Sequence, residues 1–123
     1  MGKDQSAEDY LEAILIVKEK KGNVRAIDVA TELNVSKPSV SIAMKKLRGR
    51  GLITIDDSSH IHFTDDGRKL AEKVYSKHKL ITDALVYIGV DSKEAAIEAC
   101  EIEHIISDQT YECIKNFFKK MNK

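Results

Sequence analysis

The segment at residues 26–52, AIDVATELNVSKPSVSIAMKKLRGRGL, constrains the fold more than any other part of the chain. Its apolar residues recur at helical spacing in two runs, first Ile27, Ala30 and Leu33, then Val40, Met44 and Leu47. Between the runs, Ser36 is a favoured helix cap, and Pro38 fits the first turn of a helix because its missing N–H costs little there. The segment therefore predicts two helices joined by a short turn.

A β-hairpin is predicted directly after the second helix. The runs LITID (residues 52–56) and HIHF (residues 60–63) are rich in strand-forming residues and flank a polar DSS turn. Thr64, Asp65 and Asp66 then cap a further helix. Helix, turn, helix and hairpin in this order is the winged helix-turn-helix arrangement.

Most of the remaining chain is predicted to be helical. In the first helix, Ser6 is the predicted cap, and KKGN at residues 20–23 ends the element. The stretch HKLITDALVYIGVD at residues 78–91 is apolar on more than one side, and Asp91 and Asp108 each begin another helix. The predicted fold is therefore mainly α, with a winged helix-turn-helix at residues 1–75 and a helical domain at residues 76–123.

The distribution of charge predicts DNA binding although the formal net charge is zero. Residues 33–55 contain no acidic residue and hold five basic ones, Lys37, Lys45, Lys46, Arg48 and Arg50. Phosphate binding follows local charge, so this basic segment has the electrostatic character of a DNA-binding surface. The alternative is an ordinary solvated basic face.

The second helix of the motif has a polar face that contains one apolar side chain. At about 100° per residue, its apolar stripe is buried and the opposite face carries Ser39, Ser41, Ile42, Lys45 and Lys46. An exposed isoleucine is common on protein surfaces. In the major groove, however, such a side chain can contact thymine methyl groups, and we predict this role for Ile42.

Metal-ligand side chains recur at helical spacing in two parts of the chain. The run EACEIEHIISD at residues 98–108 places three of them at i, i+3 and i+4, namely Cys100, Glu103 and His104. On a helix these positions share one face, so the three side chains can converge on one point. Asp9 and Glu12 repeat the i, i+3 spacing near the start of the chain, and His78 supplies another imidazole.

This set of side chains favours a divalent metal over catalysis. No serine or base is arranged beside Cys100, and no glycine-rich loop is present, so we do not expect an enzyme. The alternative for the run is a core cysteine beside a surface Glu–His pair. Cys113 lies in no such motif and is predicted to be a packed thiol.

The cellular context is predicted from cysteine usage and hydropathy. No apolar run approaches the roughly 18 residues of a membrane span, and the first residues lack the apolar core of a signal peptide. Two cysteines without secretory features predict reduced thiols. We therefore expect a cytoplasmic protein with no membrane partner.

Together with the winged helix, three runs make the chain resemble a known family. The runs SAEDYLEAI, SKHKL and EACEIEHIISD are similar to those of the iron- and manganese-dependent repressors, the family of the diphtheria toxin repressor and the manganese transport regulator. The resemblance covers nearly the whole chain. It implies a homodimer whose N-terminal winged helices bind operator double-stranded DNA when metal joins them to a helical dimerisation domain.

The resemblance also implies roles for individual residues. Asp9, Cys100, Glu103 and His104 match metal-ligand positions of the family, and Glu12 and His78 match ligands of its two-metal manganese branch. That branch has an acid at the position of Cys100, so the chain combines manganese-type carboxylates with an iron-type cysteine. With the exposed face of the second helix, the predicted DNA-binding set is Ser36, Lys37, Pro38, Ser39, Ser41, Ile42, Lys45 and Lys46, of which Ser36 and Pro38 also match the family pattern.

The chain departs from the family pattern at three positions. Thr82 and Ala96 replace an acid and a histidine of the iron branch's ancillary site, which argues against that site here. Ile42 replaces the base-reading glutamine, so the operator sequences of relatives are not expected to transfer. The resemblance also implies a short form that lacks the SH3-like domain of longer members.

The sequence therefore predicts a repressor of metal homeostasis that is loaded with Fe(II) or Mn(II), one or two ions per subunit. Without metal, Asp9, Glu12, Glu103 and an ionised Cys100 would repel one another. Coordination would replace this repulsion and fix the spacing of the two winged helices. The alternative is a winged-helix regulator that works without metal.

Overall fold

The computed structural model of the protein describes residues 5–121 of the 123-residue chain, and the side chains from Ala7 onward. In chain order the elements are α1 (Gln5–Lys21), α2 (Ala26–Leu33), α3 (Lys37–Gly49), β1 (Ile53–Ile55), β2 (Ile61–Phe63), α4 (Asp65–Tyr87), α5 (Ser92–Ile102) and α6 (Asp108–Met121). The predicted fold class, mainly α with a small hairpin wing, is confirmed. The predicted cap at Ser6 lies outside the described side chains.

The chain divides into two compact units, one that ends at Lys73 and one that begins at Val74. The first unit holds α1, α2, α3, the hairpin and the start of α4. The second holds the rest of α4 with α5 and α6. None of the helices in the described part of the chain is both long and apolar enough to cross a membrane.

The core of the first unit follows most of the predicted apolar pattern. Its largest fully buried side chains come from the three helices, the connection between α1 and α2, and the hairpin: Leu11, Ile14, Val24, Val29, Val40, Leu47 and Ile53. Ile27, predicted for the buried stripe of α2, is 47% exposed, and that prediction is wrong. Because α2 begins only at Ala26, Ile27 lies in its first turn, and Val29 and Ala30 form its buried side instead.

The hairpin is a short antiparallel pair with a tight polar turn. Ile53 pairs with Phe63, Thr54 with His62 and Ile55 with Ile61. The turn is closed by a hydrogen bond from the Ser59 amide to the Asp56 carbonyl (2.9 Å), and Ser59 adopts a left-handed φ of 65°. A residue in this conformation at the end of a three-residue loop is common in hairpins.

The start of α4 packs closely against the backbone of Leu52, the residue before β1. Thr64 caps the helix as predicted, because its Oγ1 accepts a hydrogen bond from the Gly67 amide at 3.0 Å. A Cβ atom at Gly67 would lie 1.8 Å from the carbonyl oxygen of Leu52. Only glycine permits this approach without a shift of the backbone.

In the second unit, α5 is shorter than predicted. Asp91 caps it by accepting a hydrogen bond from the Glu94 amide (3.2 Å), as expected, but the helix ends at Ile102. Glu103 is its C-cap residue and His104 lies in the following turn, so the expectation that both lie within the helix is wrong. The chain tightens there because the Ile105 amide donates to the Ile102 carbonyl, three residues back (3.0 Å).

The last helix begins at Asp108, as predicted. Ser107 Oγ accepts a hydrogen bond from the Thr110 amide at 3.1 Å, and Lys77 Nζ on α4 lies 3.4 Å from Asp108 Oδ1. Cys113 is exposed on this helix. The prediction that its thiol is packed is therefore wrong for the single chain. Its neighbours on α6 are also solvent-accessible, since α6 has no buried residue in this structure.

Candidate metal centre and DNA-reading helix

Four of the predicted metal ligands lie together in the second unit. His78, on α4, places its Nδ1 2.8 Å from Glu103 Oε1. The same Nδ1 is 3.8 Å from Cys100 Sγ, in the last turn of α5. His104 Nε2 lies 3.6 Å from the other oxygen of Glu103, Oε2. A carboxylate, two imidazoles and a thiol therefore converge, although Glu103 and His104 follow the end of α5.

Glu103 is the most enclosed of these side chains. Its carboxylate is fully buried, and Oε2 has no hydrogen-bond partner among the described residues. A buried polar oxygen without a donor costs free energy, and buried carboxylates are normally paired or bound to a metal ion. The geometry around Glu103 Oε2 therefore fits a bound cation.

The remaining ligands differ in their access to solvent. The His104 side chain is only 2% exposed, whereas that of His78 is 20% exposed and Cys100 is exposed. One open side allows an ion to enter and a water molecule to complete its coordination shell. Carboxylate, imidazole and thiolate together suit divalent transition metals such as Fe(II), Mn(II), Co(II) and Zn(II).

Asp9 and Glu12 lie on α1 in the first unit. They are three residues apart and so share one face of that helix. Glu12 is buried, at 8% exposure, and Asp9 is half-buried. Acidic residues are rarely so enclosed unless they have a partner, so both positions are unusual for a solvated helix surface.

Thr82 and Ala96 provide no additional metal site. The Thr82 hydroxyl donates a hydrogen bond to the His78 carbonyl at 2.8 Å, within α4. Ala96 has no ligand atom. Thr82 therefore reinforces the helix that carries His78.

The predicted DNA-reading helix is α3, and its local geometry follows the sequence. Ser36 Oγ accepts a hydrogen bond from the Ser39 amide at 3.3 Å, and Pro38 lies in the first turn. Val40, Met44 and Leu47 are buried. The opposite face is exposed and carries all the other residues of the predicted DNA-binding set, Lys37, Ser39, Ser41, Ile42, Lys45 and Lys46. Ile42 itself is 59% exposed, which leaves its side chain available for contact.

Two grooves lie beside α3, and their linings include Tyr10 and Arg25, which the sequence analysis did not place near this helix. One, of about 250 Å³, lies between α3 and α1 and is lined by Tyr10, Ser39, Ile42, Lys46 and Arg50, among others. The other, of about 400 Å³, lies between α3 and the hairpin and includes Arg25, Ile27 and Arg48. Arg25 carries a sequence signal, since it is a basic residue just before α2. Tyr10 carries none, because nothing in the sequence brings α1 beside α3.

Comparisons with known proteins agree with a DNA-binding part and a metal-binding part of the chain. Residues 4–61 match the family model described as the iron dependent repressor N-terminal DNA binding domain. Residues 64–123 match the model described as the iron dependent repressor metal binding and dimerisation domain.

Individual relatives cover most of the chain. An uncharacterised HTH-type transcriptional regulator of Methanocaldococcus jannaschii is 38% identical over 118 residues, which is 94% of each chain. The transcriptional regulator MntR of Escherichia coli is 31% identical over 113 residues, 92% of this chain and 73% of its own. The crystal structure of the metal-dependent transcriptional regulator MtsR superposes with a TM-score of 0.85 at 31% identity. That match covers 92% of this chain but only 53% of MtsR, so the chain spans about half the length of that protein.

The matched proteins are transcriptional regulators and not enzymes. The prediction that this chain is a regulator without catalytic activity is therefore confirmed.

Proposed function

Because the chain belongs to the iron-dependent repressor family, we propose that it binds operator DNA as a homodimer when loaded with Fe(II) or Mn(II). It would thereby repress genes of metal homeostasis in the cytoplasm. We assign DNA binding to residues 1–75, and metal binding with dimerisation to residues 76–123. Each subunit would hold one or two ions.

The observation that carries the proposal is the cluster around Glu103. Its buried carboxylate lies against His78 and His104, and Cys100 completes the group at the solvent side. We propose these four residues as ligands. A structural role alone would leave Glu103 Oε2 buried without a hydrogen-bond donor among the described residues.

Asp9 and Glu12 are proposed as the further ligands. Their carboxylates are hard oxygen donors and share one face of α1, where Glu12 is buried and Asp9 is half-buried. In the unloaded protein the two carboxylates would repel each other, or take up protons, so α1 would be held loosely. A bound divalent cation supplies the positive charge that turns this repulsion into attraction. With α1 fixed, the adjoining helix α3 is held in a set orientation.

The proposed output of that change is the spacing of two α3 helices in a dimer. Dimeric helix-turn-helix proteins place their reading helices in successive major grooves, about 34–36 Å apart or a multiple of that distance. Lys45 and Lys46 would bind phosphates, and Ile42 would contact base edges. Metal would therefore act by selecting the dimer geometry that fits DNA.

Exposed apolar side chains in the second unit support the proposed homodimer. They are Val86, Tyr87, Ile88, Ile97, Ile105, Phe117 and Met121, and each is more than 40% exposed in the single chain. Tyr87 and Phe117 both make edge-to-face contacts with Phe118, which orders part of this surface. An apolar surface of this kind on a single subunit is typical of an oligomer interface.

Equilibrium dialysis under anaerobic conditions tests the assignment of the metal site. We expect saturable binding of Mn(II), Fe(II), Co(II) and Zn(II) at one or two ions per subunit, and loss of that binding when Glu103 is replaced by Gln. No binding of any of these ions would favour the alternative, a winged-helix regulator that works without metal.

A further inference from the structure

Lys77, on α4, is a buried lysine that the proposed function does not use. Its side chain is only 4% exposed. Lysine is rarely so enclosed unless it is paired with an acid, because its charged group loses its hydration. The paired acid is Asp108, the first residue of α6, whose Oδ1 lies 3.4 Å from Lys77 Nζ.

Both ends of this ion pair are close in sequence to proposed metal ligands. Lys77 directly precedes His78, and Asp108 directly follows the turn at residues 103–107, which begins with Glu103 and His104. The contact between His78 Nδ1 and Glu103 Oε1, at 2.8 Å, joins the same two parts of the chain. The ion pair is therefore a second connection between the helix that carries one ligand and the turn that carries two others.

The hydrogen bonds within the turn do not supply such a connection. The amides of Ile105 and Ile106 both donate to the Ile102 carbonyl, at 3.0 and 3.2 Å. Because donors and acceptor lie within four residues of each other, these bonds set the shape of the turn and not its distance from α4. The ion pair between Lys77 and Asp108 constrains that distance.

We propose that Lys77 is a positioning residue of the metal site, which acts through Asp108 to hold the turn with Glu103 and His104 at a fixed distance from His78. The inference rests on the proposed function, because it concerns the same ligands. Metal sites depend on residues that orient the ligands without touching the ion, and loss of such a residue typically costs about 10–100-fold in metal affinity.

The alternative is that the ion pair only stabilises the second unit. In that case Lys77→Met would lower the free energy of unfolding, but the folded variant would bind metal with native affinity. Local opening of the turn and metal affinity therefore separate the two accounts.

Native-state hydrogen exchange of the metal-free full chain gives the first readout. Exchange reports opening segment by segment, so it distinguishes a loosened turn from a unit that is less stable throughout. In Lys77→Met we expect the amides of Ile105 and Ile106 to exchange several-fold faster. The Ala95 amide, which donates to the Asp91 carbonyl at 2.8 Å at the start of α5, should change much less.

An anaerobic Co(II) titration gives the second readout, because the visible absorption of Co(II) depends on the number and geometry of its ligands. Lys77→Met and Asp108→Asn should each change the spectrum and weaken Co(II) binding at least about tenfold. Since both variants remove the same ion pair, the double variant should bind about as weakly as either single one. If Lys77→Met does not fold, Asp108→Asn still decides, because the Asp108 side chain is 66% exposed.

Two matched controls remove the same charges from neighbouring positions. Lys79→Met changes the residue on the other side of His78, an exposed lysine whose Nζ lies 4.8 Å from the centre of the Tyr75 ring. Glu112→Gln changes an exposed acid on α6. Both controls should keep the native Co(II) affinity and the native exchange rates in the turn.

Two results would overturn the proposal. One is native Co(II) affinity in the folded Lys77→Met and Asp108→Asn variants. The other is faster exchange throughout the second unit with no excess at Ile105 and Ile106. Both results leave the proposed function intact, which fails only if the native chain itself binds no metal.

Discussion

At the scale of single residues, Cys100 distinguishes this protein's proposed site from one made only of oxygen and nitrogen ligands. Carboxylates such as Asp9, Glu12 and Glu103 suit Mn(II) and separate it poorly from Fe(II). A thiolate is softer and shifts preference toward Fe(II), Co(II) and Zn(II). The exposed position of Cys100, 3.8 Å from His78 Nδ1, leaves its sulfur free to join the coordination shell.

We predict that Cys100→Glu shifts the ratio of Mn(II) to Fe(II) affinity toward manganese. Thiolate binding requires the loss of a proton, so metal affinity should also rise with pH more steeply in the native protein than in the variant. Anaerobic titration of both ions into both proteins at several pH values measures the two effects. An unchanged metal ranking together with an unchanged pH slope would remove Cys100 from the ligand set.

His104 gives a second prediction at this scale. We expect His104→Ala to abolish metal-stimulated DNA binding while the dimer persists, because its ring, which lies 3.6 Å from Glu103 Oε2, is a proposed metal ligand. Metal affinity should fall at least about tenfold.

Because the His104 ring is buried, His104→Gln serves as a control that fills most of the lost volume. Analytical ultracentrifugation with metal titration checks both variants. Dissociation of the dimer in both variants would mean that His104 stabilises the structure and is not a metal ligand.

At the scale of secondary-structure elements, α3 joins an exposed basic face to a buried apolar one. Ile42→Ala should cost about 1–3 kcal/mol of binding free energy on the best operator, if Ile42 contacts thymine methyl groups, and much less on random DNA. Lys46→Ala should weaken both kinds of DNA about equally and flatten the salt dependence. Equal losses on specific and random DNA for Ile42→Ala would contradict the proposed groove contact.

The junction between the wing and α4 gives a stability prediction with an internal control. Gly67→Ala should destabilise the protein by about 1–3 kcal/mol, because its Cβ would lie 1.8 Å from the Leu52 carbonyl oxygen. Gly49→Ala meets no atom within 4 Å and lies at the end of α3, so it should be neutral or stabilising by up to about 1 kcal/mol. Urea unfolding of both variants measures the difference. Equal stabilities would mean that the wing moves to accept the methyl group.

The elements also show what sequence reasoning could and could not reach. Caps at Ser36, Thr64 and Asp91 act through neighbours within three residues, so local sequence predicted them correctly. The exposure of Ile27 and Cys113 depends on which distant elements cover a helix, and helical spacing alone does not contain that information. The end of α5 at Ile102 could not be predicted either, because the composition of residues 103–107 is compatible with a longer helix.

The sequence predicted which kinds of side chain form the candidate site better than it predicted their arrangement in space. The side-chain types and spacing of Cys100, Glu103 and His104 indicated a metal, and the structure brings Cys100 and Glu103 to His78 and places His104 beside Glu103. The sequence could not show that Glu103 is the enclosed member, because its burial depends on contacts with residues distant in sequence, such as His78. The hydrogen bond between Asp56 and His62 also could not be predicted, since only the hairpin pairing places the two residues together.

At the scale of the whole molecule, the proposal is a linkage between two binding events in a dimer. If metal raises the affinity for operator DNA by a given factor, DNA must raise the affinity for metal by the same factor. The proposal needs a dimer, because a single α3 helix would contact only one half-site. One chain matches both a DNA-binding domain model and a metal-binding and dimerisation domain model. The same molecule would therefore bind both DNA and metal.

The most direct measurement is operator affinity with and without metal. A preferred DNA sequence is first selected from a random pool in the presence of Mn(II) or Fe(II), and its affinity is then measured anaerobically with metal and with excess chelator. We predict that chelator weakens binding at least about fivefold, the lower range of typical allosteric coupling, and that operator DNA tightens metal binding by the same factor. Equal operator affinity with metal and with chelator would contradict the proposed function.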